Sequence, residues 1–304
     1  MKREVLNKAI YHTLKELNIS NIISSIQIAD FKLLKIAHDS IHEFMYIAPL
    51  SCPPTQSWLS KSAFLTYHFM VLYQAHRSLL EALAGYYNAA NILLRSVLEL
   101  MLKGALWECL AHKRFRDNAN IIEKKAKSNV YGSKRSIVDW LNDVIRQNPR
   151  IERDLEETSG AIFDKIFPLF DDRELRKLIP RPKIIIEQLH EWGLLDPYNE
   201  NEIYDIYQQL SQEVHVIPDR IDIGRRLLSG RNLFEVEIIP NELERFLKLL
   251  HKIMDIGIVL ELNVLSDWII QNDEVKEKLR ERVPVFRELE LRKGLNKLLK
   301  LVMR

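Results

Sequence analysis

Apolar residues recur along this chain at intervals of three and four, the period of helices that bury one face. Residues 4–17 (EVLNKAIYHTLKEL) place Val5, Ala9, Ile10, Leu14 and Leu17 on one side. A second such run extends from about Ile28 to Tyr46, with the proline-rich stretch 49-PLSCPPT-55 ending it as a loop. Ser57 or Ser60 is then placed to cap a long helix through Ala84, Gly85 marks a turn, and Tyr86–His112 is helical again. Two long helices joined by a short turn make an antiparallel hairpin, the natural nucleus of a bundle. Further on, 136-SIVDWLNDVIRQ-147 and one or two helices within 150–179 are expected. A helix over 183–195 is closed by Gly193, and one over 200–216 is stopped by Pro218. Asn241 is placed to cap a last core helix over 242–270. Alternation of apolar and acidic residues appears only in 232-NLFEVEIIP-240, so any strand is confined to a small hairpin near 219–239.

The pattern therefore predicts an all-α fold: a helical bundle built around the 57–112 hairpin. Its parts are N-terminal helices over 1–50 packing on the core, a bundle over 57–270, and a basic amphipathic helix over 271–304. No βαβ rhythm and no glycine-rich phosphate loop is present, which argues against the nucleotide-binding α/β folds. Composition agrees with a chain able to bury a full core, being 47% hydrophobic and 28% charged. A formal net charge of +2 is too near balance to imply a nucleic-acid partner from the total. The two cysteines, Cys52 and Cys109, have no metal-like spacing and fit a reducing compartment. Met1 leads into a charged amphipathic run rather than a signal peptide, and the longest apolar runs are broken by charge. The expectation is a cytoplasmic protein with no membrane partner, no cofactor and no metal.

One polar line interrupts the most apolar helix. In 91-NILLRSVLELMLKG-104, Arg95, Glu99 and Lys103 follow at i, i+4 and i+8, extended backward by Asn91. That spacing puts them on one face and in mutual reach. They are surrounded by Leu93, Leu94, Val97, Leu98, Leu100, Met101, Leu102 and Leu106. Both a solvated seam and an interior ion pair are open, the latter needing a reason beyond stability. A second face comes from 204-YDIYQQLSQEVHVIPDR-220, where Tyr204, Tyr207, Ser211 and His215 recur at helical spacing. His215 there is either a half-buried histidine bonded to a carbonyl or the partner of Arg95 and Glu99 at an anion site.

The segment 79-LLEALAGYYNAANILLRSVLELMLKG-104 resembles the helical hairpin of HEPN-like proteins. It looks especially like a branch of uncharacterised prokaryotic proteins with the pattern G-x-Y-x-x-A-x-x-L-x-R-S-x-x-E, here Gly85, Tyr87, Ala90, Leu93, Arg95, Ser96 and Glu99. The same branch carries a later Y-x-x-L-S-x-x-V-H element, here Tyr207, Leu210, Ser211, Val214 and His215. The resemblance covers residues 79–218. It implies a helical bundle, frequently a homodimer, and many such proteins are RNases of toxin, defence or RNA-processing systems. Their ribonuclease signature is an arginine, a polar neighbour and a histidine four to six residues on. Only Arg245 and His251 meet that spacing, with Phe246 in place of the polar neighbour, and the match reads as accidental.

If the chain cuts RNA, the residues that would do so without a metal are His215 as acid/base, Arg95 as phosphate clamp and Glu99 as its orienter. Tyr207, Ser211 and Lys103 would line the same site. The rivals are a non-catalytic interaction or scaffold module and a small-anion pocket between helices. His38 and His42 show the i, i+4 spacing of a helical metal pair, but no third ligand is evident and a surface or interface role is preferred. Two basic regions remain. Residues 113–135 are basic and polar, and the tail 276–304 carries ten Lys/Arg against four Glu. The tail reads first as a docking helix with a solvated face, with RNA or an anionic surface as the alternative.

Overall fold

The computed structural model describes residues 19–52, 62–111, 180–214 and 238–303, together with positions 5, 115, 119, 146 and 236. Its elements are α1 (Ile19–Ile28), α2 (Phe31–Ser51), α3 (Ala63–Leu83), α4 (Tyr87–Ala111), α5 (Pro182–Glu191), α6 (Glu200–Val214) and α7 (Pro240–Val264). Four short helices follow: α8 (Ser266–Gln271), α9 (Asp273–Arg280), α10 (Val283–Glu288) and α11 (Arg292–Val302). No strand occurs among the described residues. The fold is all-α. The helices expected over 4–17, 136–147 and 150–179, and nearly all of the 219–239 hairpin, lie outside the described residues.

The α3–α4 hairpin forms as its sequence demands. Ser62 stands at the head of α3, where its Oγ accepts from the Leu65 amide at 3.1 Å. The cap is thus Ser62 rather than Ser57 or Ser60, which lie outside the described residues. Glu108, buried on α4, reinforces that end: one carboxylate oxygen accepts from Ser62 Oγ at 2.9 Å and from the Phe64 amide at 3.1 Å. A negative charge at a helix N-terminus is favoured by the dipole. Gly85 turns the chain at φ 92°, a left-handed conformation that a side chain would strain. Tyr87 then anchors the hairpin to the start of α7, its hydroxyl accepting from the Ile239 amide at 3.1 Å.

α7 packs on α2 and α4. Gly257 makes this approach close: a Cβ there would meet Phe44 Cε2 of α2 at 2.8 Å and crowd the Met101 sulfur of α4. Around this contact Ile41, Phe44, Leu98, Met101, Leu102, Ile253 and Ile258 are fully buried.

Several boundaries differ from the pattern reading, each for a local reason. The segment around Ile28 is a junction, where α1 ends and Asp30 caps α2 by accepting from the Leu33 amide at 3.0 Å. α2 runs through Pro49 to Ser51, since a proline in the last turn removes only one ladder bond and the Cys52 amide still closes on Ala48 at 3.1 Å. α7 begins at Pro240, favoured at a first helical position, and Asn241 lies inside it rather than capping it. The expected helix over 242–270 breaks at Leu265, and the tail is three short helices instead of one. Pro284 starts α10, and Glu290 adopts φ 55° before α11. The tail folds back onto α7 because Asp255 of α7 caps α11, accepting from the Gly294 amide at 2.9 Å, the Lys293 amide at 3.2 Å and Tyr198 Oη at 2.7 Å.

Two predictions come from this packing. Gly257→Ala gains roughly 1 kcal/mol of helix propensity, but overpacking against Phe44 and Met101 outweighs it, so a net loss of about 1–2 kcal/mol is expected in urea titration. The Glu108 carboxyl is pushed up from 4.5 to about 7, first by burial, against the amide and hydroxyl bonds that lower it. A folded-state carboxyl raised above its unfolded value binds its proton more tightly when folded. Its contribution is present below about pH 4.5 and lost as pH rises to about 7, roughly 3 kcal/mol by linkage. Glu108→Gln, which keeps an acceptor, should flatten that part of the stability–pH curve, measured by denaturation at pH 4.5, 6 and 7.5.

Candidate functional site

The polar line of α4 faces α6. Arg95 Nε donates to Glu99 Oε1 at 3.0 Å, and Lys103 Nζ donates to Glu99 Oε2 at 3.2 Å. Arg95 Nη2 reaches across 112 positions of sequence to donate to Tyr207 Oη of α6 at 2.7 Å. The guanidinium carbon also lies 5.0 Å from the Tyr207 ring centroid. The side chains of Arg95, Glu99 and Lys103 retain 20%, 21% and 29% of their exposure. The line is therefore neither a solvated stripe nor an interior pair. It is a half-buried seam between two helices, with Asn91 buried at its upstream end.

Aromatic rings extend the seam along α6. Tyr204 and Tyr207 stack with centroids 6.5 Å apart at an interplanar angle of 20°. Lys183 of α5 lies over the Tyr204 ring at 5.0 Å. Two cations thus cap a pair of tyrosines, each drawn by the negative ring face. Lys183 was not expected from sequence, because nothing in its local spacing reports that α5 packs on α6. Ser211 Oγ donates to the Tyr207 carbonyl of its own helix at 2.7 Å. Its proton is engaged along α6 rather than toward Arg95. His215 lies outside the described residues.

Chemically, the seam offers one arginine already oriented. Glu99 fixes Nε and Tyr207 fixes Nη2, so the planar group is held at two of its five donors. Among the described residues no second carboxylate pairs with it. Such a fork matches carboxylate or phosphate oxygens.

The ribonuclease-like spacing of Arg245 and His251 belongs to structure. Arg245 pairs with Glu242 at 2.8 Å, and His251 Nε2 donates to the Leu289 carbonyl at 2.8 Å, tying α7 to the tail. The tail itself is a docked set of helices whose buried face includes Leu279, Phe286, Leu298 and Leu301. Many of its bases are paired: Lys276 with Asp273, Lys278 with Glu274, Arg280 with Glu277 and Lys293 with Glu202, each at 2.6 Å. Arg282 grips Glu43 with two nitrogens.

A buried pair that sequence reasoning missed lies in the core. His68 Nδ1 of α3 sits 2.5 Å from Glu261 Oε1 of α7, and Phe44 stacks on the imidazole at 4.3 Å between centroids. Burial raises the Glu261 carboxyl to about 7 against the opposing pull of His68. Both residues are buried, and among the described residues no other group in hydrogen-bonding geometry reaches the four polar atoms. A pair sealed beneath Phe44 without an opening is an interior contact rather than a reaction site. The signal was hidden because His68 sits alone within an apolar run.

His38 and His42 are joined by His76 of α3, the imidazole that linear spacing could not supply. Cys52 and Cys109 are buried and form no disulfide, and burial pushes the Cys52 thiol up to about 11. No helix among the described residues is long and apolar enough to cross a membrane. Compared with protein-family models, curated proteins and solved structures, the chain shows no match.

The seam makes its own prediction. Tyr207→Phe keeps the ring under Arg95 and removes only its hydroxyl, so a loss of about 1 kcal/mol is expected from chemical denaturation. Tyr207→Ala removes both contacts and should cost about 1–2 kcal/mol beyond that, less than for a fully buried aromatic because the ring is only partly buried.

Proposed function

We propose that this protein is a HEPN-like, RNA-associated helical protein that uses the α4–α6 seam to engage the phosphate backbone. The observation that carries the reading is the meeting of Arg95 and Glu99 with Tyr207, residues drawn from the two separate motifs of the resemblance. The first motif divides into two jobs. Gly85, Tyr87 and Ala90 build the hairpin and its anchor to α7, while Arg95 and Glu99 form the half-exposed charged seam. Held at two donors, Arg95 clamps a phosphate oxygen with the rest, and Glu99 orients it. Where cleavage occurs, His215, four residues beyond Ser211, serves as the metal-independent acid/base. The working unit is a homodimer in a defence or stress system.

A second reading rests on the saturation of Glu99 by Arg95 and Lys103. In it the seam only fixes the register of α4 against α6, and the protein is a non-catalytic interaction module.

The two readings separate on labelled single-stranded RNA at low salt. The RNase reading expects cleavage by wild type, with losses of about 10²–10³ for Arg95→Ala and about 10²–10⁴ for His215→Ala. RNA retardation without cleavage, weakened by Arg95→Ala, supports an RNA-binding form without nuclease chemistry. A folded preparation that neither binds nor cuts RNA defeats the proposal and leaves the register lock.

A further inference from the structure

Three histidines meet where α2 packs on α3. His38 and His42, one turn apart on α2, bring their Nε2 atoms to 3.2 Å. The ring of His76 on α3 lies 5.2 Å from that of His42 and 6.1 Å from that of His38, with 4.6 Å between His38 and His42. We propose that His38, His42 and His76 bind a divalent first-row transition ion, zinc foremost, bridging α2 and α3.

Coordination geometry carries the proposal. Zinc–imidazole bonds of about 2.0–2.1 Å at a tetrahedral angle separate two ligand nitrogens by roughly 3.3 Å and their ring centroids by roughly 5 Å. The His38–His42 nitrogens stand at that separation, and the three centroid distances bracket the second value. Orientation supports it independently. His38 Nδ1 lies 2.9 Å from Asp39 Oδ1, and a carboxylate only accepts, so Nδ1 carries the proton and Nε2 presents its lone pair toward His42. Asp39 is itself held by Lys35 at 3.0 Å. A carboxylate behind a ligating histidine fixes its tautomer and orientation in metal sites.

As they stand, no three or more His, Cys, Asp or Glu side chains among the described residues are placed to hold a metal ion, so the third ligand has to move to reach it. The pair on α2 is the preformed half, and rotation of the His76 ring closes the third bond. The set is all imidazole and partly exposed, so it suits zinc, nickel or copper rather than magnesium or calcium, and it leaves a fourth position to water. The ion would displace the single proton shared by the two facing Nε2 atoms and cross-link the helices. The site does not depend on the RNA reading, because it shares no residue with the α4–α6 seam.

The test is titration of tag-free full-length protein with Zn(II) and Ni(II) at pH 7.5 by calorimetry, with Co(II) as spectroscopic probe. One ion per chain, a melting temperature raised by a few degrees, and absorption of a low-coordinate cobalt site are expected. His42→Ala should weaken binding at least tenfold and His76→Gln severalfold or more, with both variants keeping the wild-type helical signal. Equal binding by the His38→Ala/His42→Ala double variant assigns the ion to other histidines and overturns the site. Loss with His42→Ala but none with His76→Gln overturns the three-imidazole arrangement. Absence of binding by the wild type at micromolar zinc overturns it outright.

Discussion

The close approach of α7 to α2 and α4 at Gly257 governs the bundle. Because no side chain stands there, the Phe44 ring and the Met101 thioether fill the gap directly against the helix backbone. Phe44 in turn lies flat on His68, and His68 meets Glu261, one turn beyond Gly257 on the same helix. One missing Cβ therefore sets how deep the aromatic sits, and the aromatic sets where a buried histidine and carboxylate meet. A closed pair of ionisable groups contributes little net stability over an apolar pair of equal volume. Its effect is selective: sliding α7 along α3 by a turn would strand both groups in hydrocarbon. Packing and polarity thus specify the same register.

Buried or half-buried polar side chains repeat this role at the ends of elements. Glu108 holds the start of α3, and Asp255 holds the start of α11 and the Tyr198 hydroxyl. Asn263 donates to the carbonyls of Leu194 and Asp196 after α5, at 2.8 and 2.9 Å. Each joins a long helix to the terminus of another, where backbone groups lack partners within their own helix. An apolar bundle allows many rotations of nearly equal burial. These single polar contacts discriminate among them, which explains carboxylates in positions where stability alone would favour leucine.

The helical period made the long elements legible, and the i, i+4 rule placed Arg95, Glu99 and Lys103 in contact before any fold was known. The spacing of Tyr204, Tyr207, Ser211 and His215 marks one helical face, but the meeting with Arg95 runs through Tyr207, which only the packing of α6 on α4 reveals. Other features depended on tertiary contact and left no local mark. His76 is 34 positions from His42, and Lys183 lies on a helix with no pattern linking it to Tyr204. The tail was the least legible part. Its apolar spacing continues across Pro284 and Glu290, so period alone joined what a proline and a left-handed residue divide.

The tail also shows why composition is a poor guide to electrostatic partners here. Ten bases against four acids within residues 276–304 suggest a cationic surface. Yet Lys293 is matched by Glu202 of α6, Arg282 by Glu43 of α2, and Lys276 and Lys278 by acids three or four residues away. Exposed pairs of this kind are individually weak, but each still lowers the field that a distant phosphate would feel. Counterion release requires cations whose charge is otherwise unscreened by protein. Long-range attraction from the tail is therefore smaller than its net charge implies. A phosphate-binding reading consequently places its weight on directed donors, and Arg95 differs from the paired surface bases because a tyrosine and a carboxylate hold its plane while part of it remains exposed.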